Sequence, residues 1–146
     1  QEYLDEFGTP EHPDDLASHL GLFYELRDVL HDVWEFSQNG SKRKVKMRSV
    51  RASNDGDLVR RWCVAGKGLA IKSSIDMAAD LLAGNVVSVM RNFPPAPSEL
   101  WLLCPSRQVI TPAVRLLRDM FQTKCAQVLK QLMKKGILEE SFSCAK

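Results

Sequence analysis

Ser53-Asn54-Asp55-Gly56-Asp57-Leu58-Val59-Arg60-Arg61-Trp62-Cys63-Val64-Ala65-Gly66-Lys67-Gly68-Leu69-Ala70-Ile71 is the stretch whose reading decides the fold. Residues 54–57 are cap and turn types, and Leu58, Val59, Trp62 and Ala65 recur at helical spacing on one face. Gly66-Lys67-Gly68 ends that helix. Leu69-Ala70-Ile71 is short and wholly apolar, as a parallel strand buried on both faces must be. A strand end, a helix and a further strand in this order make the unit from which α/β folds are built.

Toward the N-terminus, Tyr3-Leu4-Asp5-Glu6-Phe7 predicts a short helix stopped by Gly8 and Pro10, and Pro13 to Ala17 a second helical turn. Gly21 to Leu26 predicts a strand. Val33 to Ser37 alternates, Asn39-Gly40 is a favoured tight-turn dipeptide, and a second hairpin strand is expected from Lys42 to about Val50. Toward the C-terminus, Ser73 to about Gly84 predicts a helical piece, and Val86 to Met90 a strand. Asn92-Phe93-Pro94-Pro95-Ala96-Pro97-Ser98 is a stiff connection suited to joining two subdomains. Leu100 to Cys104 reads as a buried strand. Thr111-Pro112, a cap followed by proline at the first helical position, opens a long helix to about Lys135. Its face Val114, Leu117, Phe121, Cys125, Val128 and Leu132 is expected to be buried. Ser141 to Lys146 carries no pattern.

Composition narrows the classes of function. The 146 residues are 45% hydrophobic and 26% charged, which suits one soluble globular body. A formal net charge of +2 commits the chain neither to nucleic acid nor to anionic lipid. The apolar runs are too short to span a membrane, and the acidic opening Gln1-Glu2-Tyr3-Leu4-Asp5 has no secretion signal. A first residue other than Met is expected of a fragment or a processed product. Cys63, Cys104, Cys125 and Cys144 are too scattered for a metal or redox pair, which favours a reducing, cytoplasmic setting, and Cys63 and Cys104 read as buried thiols.

Several segments together resemble the effector-binding domain of LysR-type transcriptional regulators. They are Tyr3-Leu4, Gly8-Thr9-Pro10, Pro13-Asp14-Asp15-Leu16 and His19; Trp34-Glu35-Phe36; Ser53-Asn54-Asp55-Gly56; Ala65 to Ile71; Leu82-Ala83-Gly84-Asn85-Val86-Val87; and Leu100 to Arg107 followed by Thr111 to Phe121. The order and spacing of these pieces over residues 1–121 carry the resemblance. It implies an α/β fold like the type 2 periplasmic binding proteins, with one lobe near complete and the C-terminal part of the other. Residues 1–93 would form the second lobe with the hinge, residues 94–99 the proline-rich linker, residues 100–135 the return strand and terminal helix of the first lobe, and residues 136–146 a tail. It further implies a small-molecule effector between lobes, DNA contact only through an N-terminal winged-helix domain outside this chain, and self-association. The DNA-binding region and the first half-lobe are absent from the matching segments. Lys72-Ser73 stands where commoner members carry Leu-Pro, and the chain beyond Phe121 is longer and more basic than the family's usual ending.

The candidate effector-binding residues are Ser53, Asn54 and Asp55. They open a helix, where free N–H groups and the helix dipole favour an anionic or polar ligand. Plain capping competes with that reading. Asp55, negatively charged, is expected to cap, while Ser53 and Asn54 are expected to face the ligand. Other chemistry is not supported. Gly66 to Ser73 lacks the glycine a phosphate loop needs before its lysine, since Ile71 stands there. Lys42, Lys44, Lys46 and Arg48 alternate on one strand face, with Arg43 and Arg51 nearby, and read as a solvated face without aromatic interleaving for bases. His12, His19 and His31 have no ligand spacing, so surface or hinge packing is expected and no metal site. Trp34, Trp62 and Trp101 read as core. No catalytic constellation and no cofactor motif is present, so the chain is expected to be no enzyme. The leading reading is a regulatory sensor controlling transcription; a stand-alone solute-binding module for transport is the alternative.

Overall fold

The structure is a computed structural model that describes residues 2–27, 29–38 and 41–139. Its elements are α1 (Glu2–Phe7), a 3-10 turn (Pro13–Ser18), β1 (Leu20–Leu26), β2 (Val29–Leu30), β3 (Val33–Gln38), β4 (Ser41–Lys46), β5 (Arg48–Ser53), α2 (Gly56–Val64), α3 (Ala78–Ala83), a second 3-10 turn (Arg107–Val109) and α4 (Pro112–Lys134).

β1 organises the sheet. It pairs with β5 in parallel, from Leu20 opposite Arg48 to Tyr24 opposite Ser53, and its far end pairs with β2 antiparallel. Successive side chains of a strand point to opposite faces. Leu22 and Phe23 are nonetheless both buried, so the strand is covered on both sides. Phe23 belongs to an apolar cluster with Leu16, Trp34, Phe36, Val45, Met47 and Phe93, its ring centroid 5.7 Å from that of Trp34. Burying a side chain of this size contributes about 1.5–3 kcal/mol. α2 packs on β1 and β5 with Val59 buried. Two glycines make the close approaches possible. A Cβ on Gly21 would stand 2.3 Å from the Phe23 ring, and one on Gly68 would stand 2.5 Å from the Leu20 carbonyl.

That approach at Gly68 lets Leu69 exchange two hydrogen bonds with β1, its N–H donating to Leu20 O (2.9 Å) and its carbonyl accepting from Leu22 N (2.8 Å). The strand expected over residues 69–71 is thereby reduced to a single bridge. The expected hairpin is present, its register running from Val33 opposite Lys46 to Gln38 opposite Ser41. The Asn39-Gly40 turn itself lies outside the described residues. The strand expected from Lys42 to about Val50 is in fact two strands. Met47 is buried and its N–H donates to Asp32 O (3.1 Å), which ends β4 and sends the chain into β5 beside β1.

Three further expectations are corrected. Residues 86–90 form no strand among the described residues: only Val86 is buried, and Met90 takes a left-handed backbone (φ 55°). Residues 100–104 form no strand. Leu100 (78% exposed), Trp101 (72%) and Leu103 (85%) stand in solvent, because no described strand lies alongside to supply pairing. Trp101 therefore belongs to no core, in contrast to Trp34. The α4 face divides: Leu132 is fully buried near α3, whereas Leu117 and Phe121 are exposed. The cap of α4 is as expected, with Val114 N–H donating to the Thr111 hydroxyl (3.4 Å) and Pro112 at the first position.

The proline-rich connection is fastened by the buried Phe93 and by the hairpin: Ser37 N–H donates to Pro94 O (3.2 Å), and Pro95 bridges Phe36. The basic run is exposed and balanced by acids. Lys42 meets Glu35 at 2.8 Å, Lys46 meets Asp32 at 3.4 Å, and Arg43 pairs with Asp14. Arg51 lies over the half-buried Trp62, 5.6 Å from the ring centroid. Of the thiols read as buried, Cys63 and Cys104 are each partly buried. Residues 141–146 lie outside the described residues.

Candidate functional site

The parallel pairing of β1 with β5 places Tyr24 opposite Ser53, so the carboxyl ends of the two strands stop side by side. Past this pair the chain leaves β1 through Glu25, Leu26 and Arg27, and leaves β5 through Asn54 into α2. Ligands of open α/β sheets settle outside such carboxyl ends, because the connections diverge there and helix N-termini present free N–H groups. Glu25, Arg27, Ala52, Ser53 and Asn54 line an open depression of about 420 Å³ at this edge.

Each predicted residue has a distinct position. Asp55 caps α2, its Oδ1 accepting from the N–H groups of Asp57 (2.8 Å) and Leu58 (3.2 Å). The capping expected of Asp55 is therefore observed, and it takes up two of the N–H groups that a bound anion would otherwise use. The Ser53 hydroxyl oxygen accepts from Asp55 N–H (3.0 Å), which leaves its own O–H to donate outward. Asn54 is exposed, with no side-chain partner among the described residues. Ser53 and Asn54 line the depression and Asp55 does not.

Glu25 and Arg27 were missed in the sequence. Arg27 holds a left-handed backbone (φ 51°), which costs a residue with a side chain roughly 1–2 kcal/mol. It carries a guanidinium at the rim, while Glu25 adds a carboxylate. The donors are then a guanidinium, an amide and a hydroxyl around one acid, a set that suits a small ligand bearing a carboxylate and a further polar group.

Lys72 supports the site from behind. Its side chain is mostly buried, its ammonium donates to Gly56 O (3.0 Å) and pairs with Asp76, and so it ties the loop after Ile71 to the first residue of α2. Arg60 braces the same helix, bonding Asp57 (2.9 Å) and Asp80 (2.6 Å). These contacts hold the Asp57 carboxyl below its usual range, first through Arg60. Cys63, on α2, is pushed up by burial, so its thiol stays protonated near neutrality. Of the histidines, His12 caps the first 3-10 turn and lies edge-on to Phe93, whereas His19 is buried against Tyr3. No group of three or more potential metal ligands occurs among the described residues. None of their helices is long and apolar enough to cross a membrane.

A second open depression, of about 490 Å³, lies between α3 and α4 and is lined by Leu82, Gln131, Lys134 and Lys135. Lys135 already spends its ammonium on Leu82 O (3.0 Å).

Residues 1–126 match the family model of the LysR substrate binding domain. The chain is 28% identical over 115 residues to the HTH-type transcriptional regulator DmlR of Escherichia coli, covering 79% of this chain and 37% of that protein. It is 32% identical over 92 residues to the HTH-type transcriptional activator TtdR of Escherichia coli, covering 63% of this chain and 30% of that one. The chain thus spans about a third of the length of these relatives. Its backbone is similar to the regulatory domain of AphB in Vibrio vulnificus, with a TM-score of 0.63 at 21% identity over 81% of this chain and 58% of that one. It is also similar to the full-length Vibrio cholerae virulence activator AphB, with a TM-score of 0.54 at 22% identity over 64% of this chain and 32% of that one. At this identity the structural likeness concerns the fold, which is the periplasmic-binding-protein type 2-like α/β fold of those regulatory domains. By the family match over most of its length, this chain belongs to the LysR substrate binding domain family.

Proposed function

We propose that this chain is the effector-sensing part of a cytoplasmic LysR-type regulator, and that a small anionic or polar effector binds at the carboxyl ends of β1 and β5. One observation carries the reading: the parallel pairing that gathers Glu25, Arg27, Ser53 and Asn54 around one depression beside the start of α2. Arg27 and Asn54 would take the ligand's acidic group, and the Ser53 hydroxyl would donate to a second oxygen. Asp55 positions the helix start and stays off the ligand. Residues 1–93 act as one lobe, residues 94–99 as the connection, and residues 100–135 as the piece contributed to the other lobe, with residues 136–146 as a tail.

Binding shifts a conformational equilibrium only by its difference in affinity for the two states. An effector held by this lobe and touching the other would favour the closed arrangement and so bias DNA contact made by a winged-helix domain outside this chain. Self-association through the apolar surface at residues 100–121 belongs to the same reading.

The test is a thermal-shift screen of the full chain against small carboxylates, aromatic acids and amino acids. A ligand of the folded state raises the melting temperature by mass action, by about 2.7 kcal/mol of stabilisation at a hundredfold excess over Kd. The expected outcome is a shift that the Ser53→Ala/Asn54→Ala pair abolishes. A shift of equal size in the pair would remove the site from this edge.

A further inference from the structure

The Tyr3 phenol does two things at once. Its oxygen accepts the N–H of Leu20 (2.8 Å), the first residue of β1, and lies 3.1 Å from Nδ1 of His19. Tyr3 and His19 are both almost fully buried, at 5% and 3% exposure. The pair is braced on α1 by Phe7, which stacks on Tyr3 at 4.7 Å between ring centroids, and the Tyr3 backbone sits within 4 Å of where a Cβ would stand on Gly66 at the end of α2. One side chain therefore joins α1 to the start of the central strand.

The proton inventory of this contact is restrictive. With the phenol donating to it, Nδ1 must be the bare nitrogen of a neutral imidazole. A proton on Nδ1 turns that nitrogen into a donor. The phenol oxygen would then receive both Leu20 N–H and Nδ1–H, and its own proton would lose its acceptor in a buried place, beside a buried cation. The surrounding groups set how far this is opposed. Asp15, on the preceding turn, favours the cation, but its carboxylate is already engaged by the N–H groups of Glu11 (3.0 Å) and His12 (2.9 Å). From α1, Glu6 faces the phenol. On neighbouring segments, Arg48 opposite Leu20 and Lys67 before Gly68 are exposed, and Cys63 of α2 is a protonated thiol.

We propose that the Tyr3–His19 pair is an acid-sensitive latch: neutral His19 fastens α1 to β1, and uptake of one proton by His19 releases it. Burial, the largest influence, holds the imidazole below its ordinary value of 6.5, and Asp15 only partly offsets this. The sign follows from linkage. A histidine depressed in the folded state binds its proton more readily when released, so the latched form is fully favoured above the ordinary value and loses ground as pH falls through 6.5 toward the latched value. Nothing in this inference depends on the effector site.

The experiment uses the full chain, with proton NMR of the three imidazoles and amide exchange of residues 3–7 between pH 8 and pH 4.5. His19 is expected to titrate below the ordinary histidine value of 6.5. The opening of α1, corrected for intrinsic exchange, is expected to rise as pH falls by at most tenfold per unit, the slope of a single proton. His19→Gln, which keeps an acceptor without a titrating group, should flatten that rise and leave α1 closed at pH 7.5. Tyr3→Phe should open α1 at every pH and, by exposing His19, return its titration toward the ordinary value of 6.5. If His19→Gln proves not to fold, the wild-type titration and Tyr3→Phe still decide. A His19 titration at or above 6.5 overturns the latch, as does α1 opening that is independent of pH in the wild type.

Discussion

Two apolar segments of this chain look alike in sequence and end in opposite environments. Leu20 to Leu26 and Leu100 to Cys104 are both short and mostly apolar. The first is the centre of a sheet, with Phe23 1% exposed; the second stands in solvent, with Leu103 85% exposed. The difference is partners. Phe23 has a cluster of aromatic and aliphatic side chains against it, whereas no described strand runs beside residues 100–104. A strand is a property of a pair, and an apolar run states only readiness to pair. The same contrast divides α4, which buries Leu132 and leaves Phe121 exposed.

That comparison can be broken at graded strengths. The largest effect is expected at the packed segment, where Phe23→Ala should cost about 3–5 kcal/mol in urea unfolding, since it removes the ring on which Trp34 and Gly21 rest. Asp55→Ala should cost about 1 kcal/mol, because α2 is docked on the sheet and loses two cap bonds. Thr111→Ala should cost less, about 0.5 kcal/mol, since its single cap bond is long and the first turns of α4 are exposed. The smallest change in stability is expected from Trp101→Ser with Leu103→Ser, within about 0.5 kcal/mol. Light scattering should nonetheless show that this last pair lowers self-association, because exposed apolar patches drive it. Equal losses at Phe23 and at Trp101 would erase the contrast.

What the sequence made legible follows the same division. Features set by a few adjacent residues were read correctly: the stop of α1 at Gly8 and Pro10, the presence of the hairpin, the Asp55 and Thr111 caps, and the Gly66–Gly68 ending of α2. Features set by distant partners were not. Continuing the hairpin strand to Val50 hid β5, and with it the parallel neighbour that brings Glu25 and Arg27 to the depression. The local pattern gave no sign of the break, since Val45 and Met47 alternate with Lys44, Lys46 and Arg48 as in one continuous strand. Ser53 and Asn54 entered as candidates because cap chemistry is local, whereas Lys72 reaches back to Gly56 from a distant loop and gave no local signal.

The most direct test of the proposed site is an amide-resolved NMR titration of the full chain with the small carboxylate that most raises its melting temperature. Assignment of the effector site to the carboxyl ends of β1 and β5 predicts that the largest shifts fall on residues 25–27 and 52–58. Shifts centred instead on Leu82, Gln131, Lys134 and Lys135, around the other depression, would contradict it.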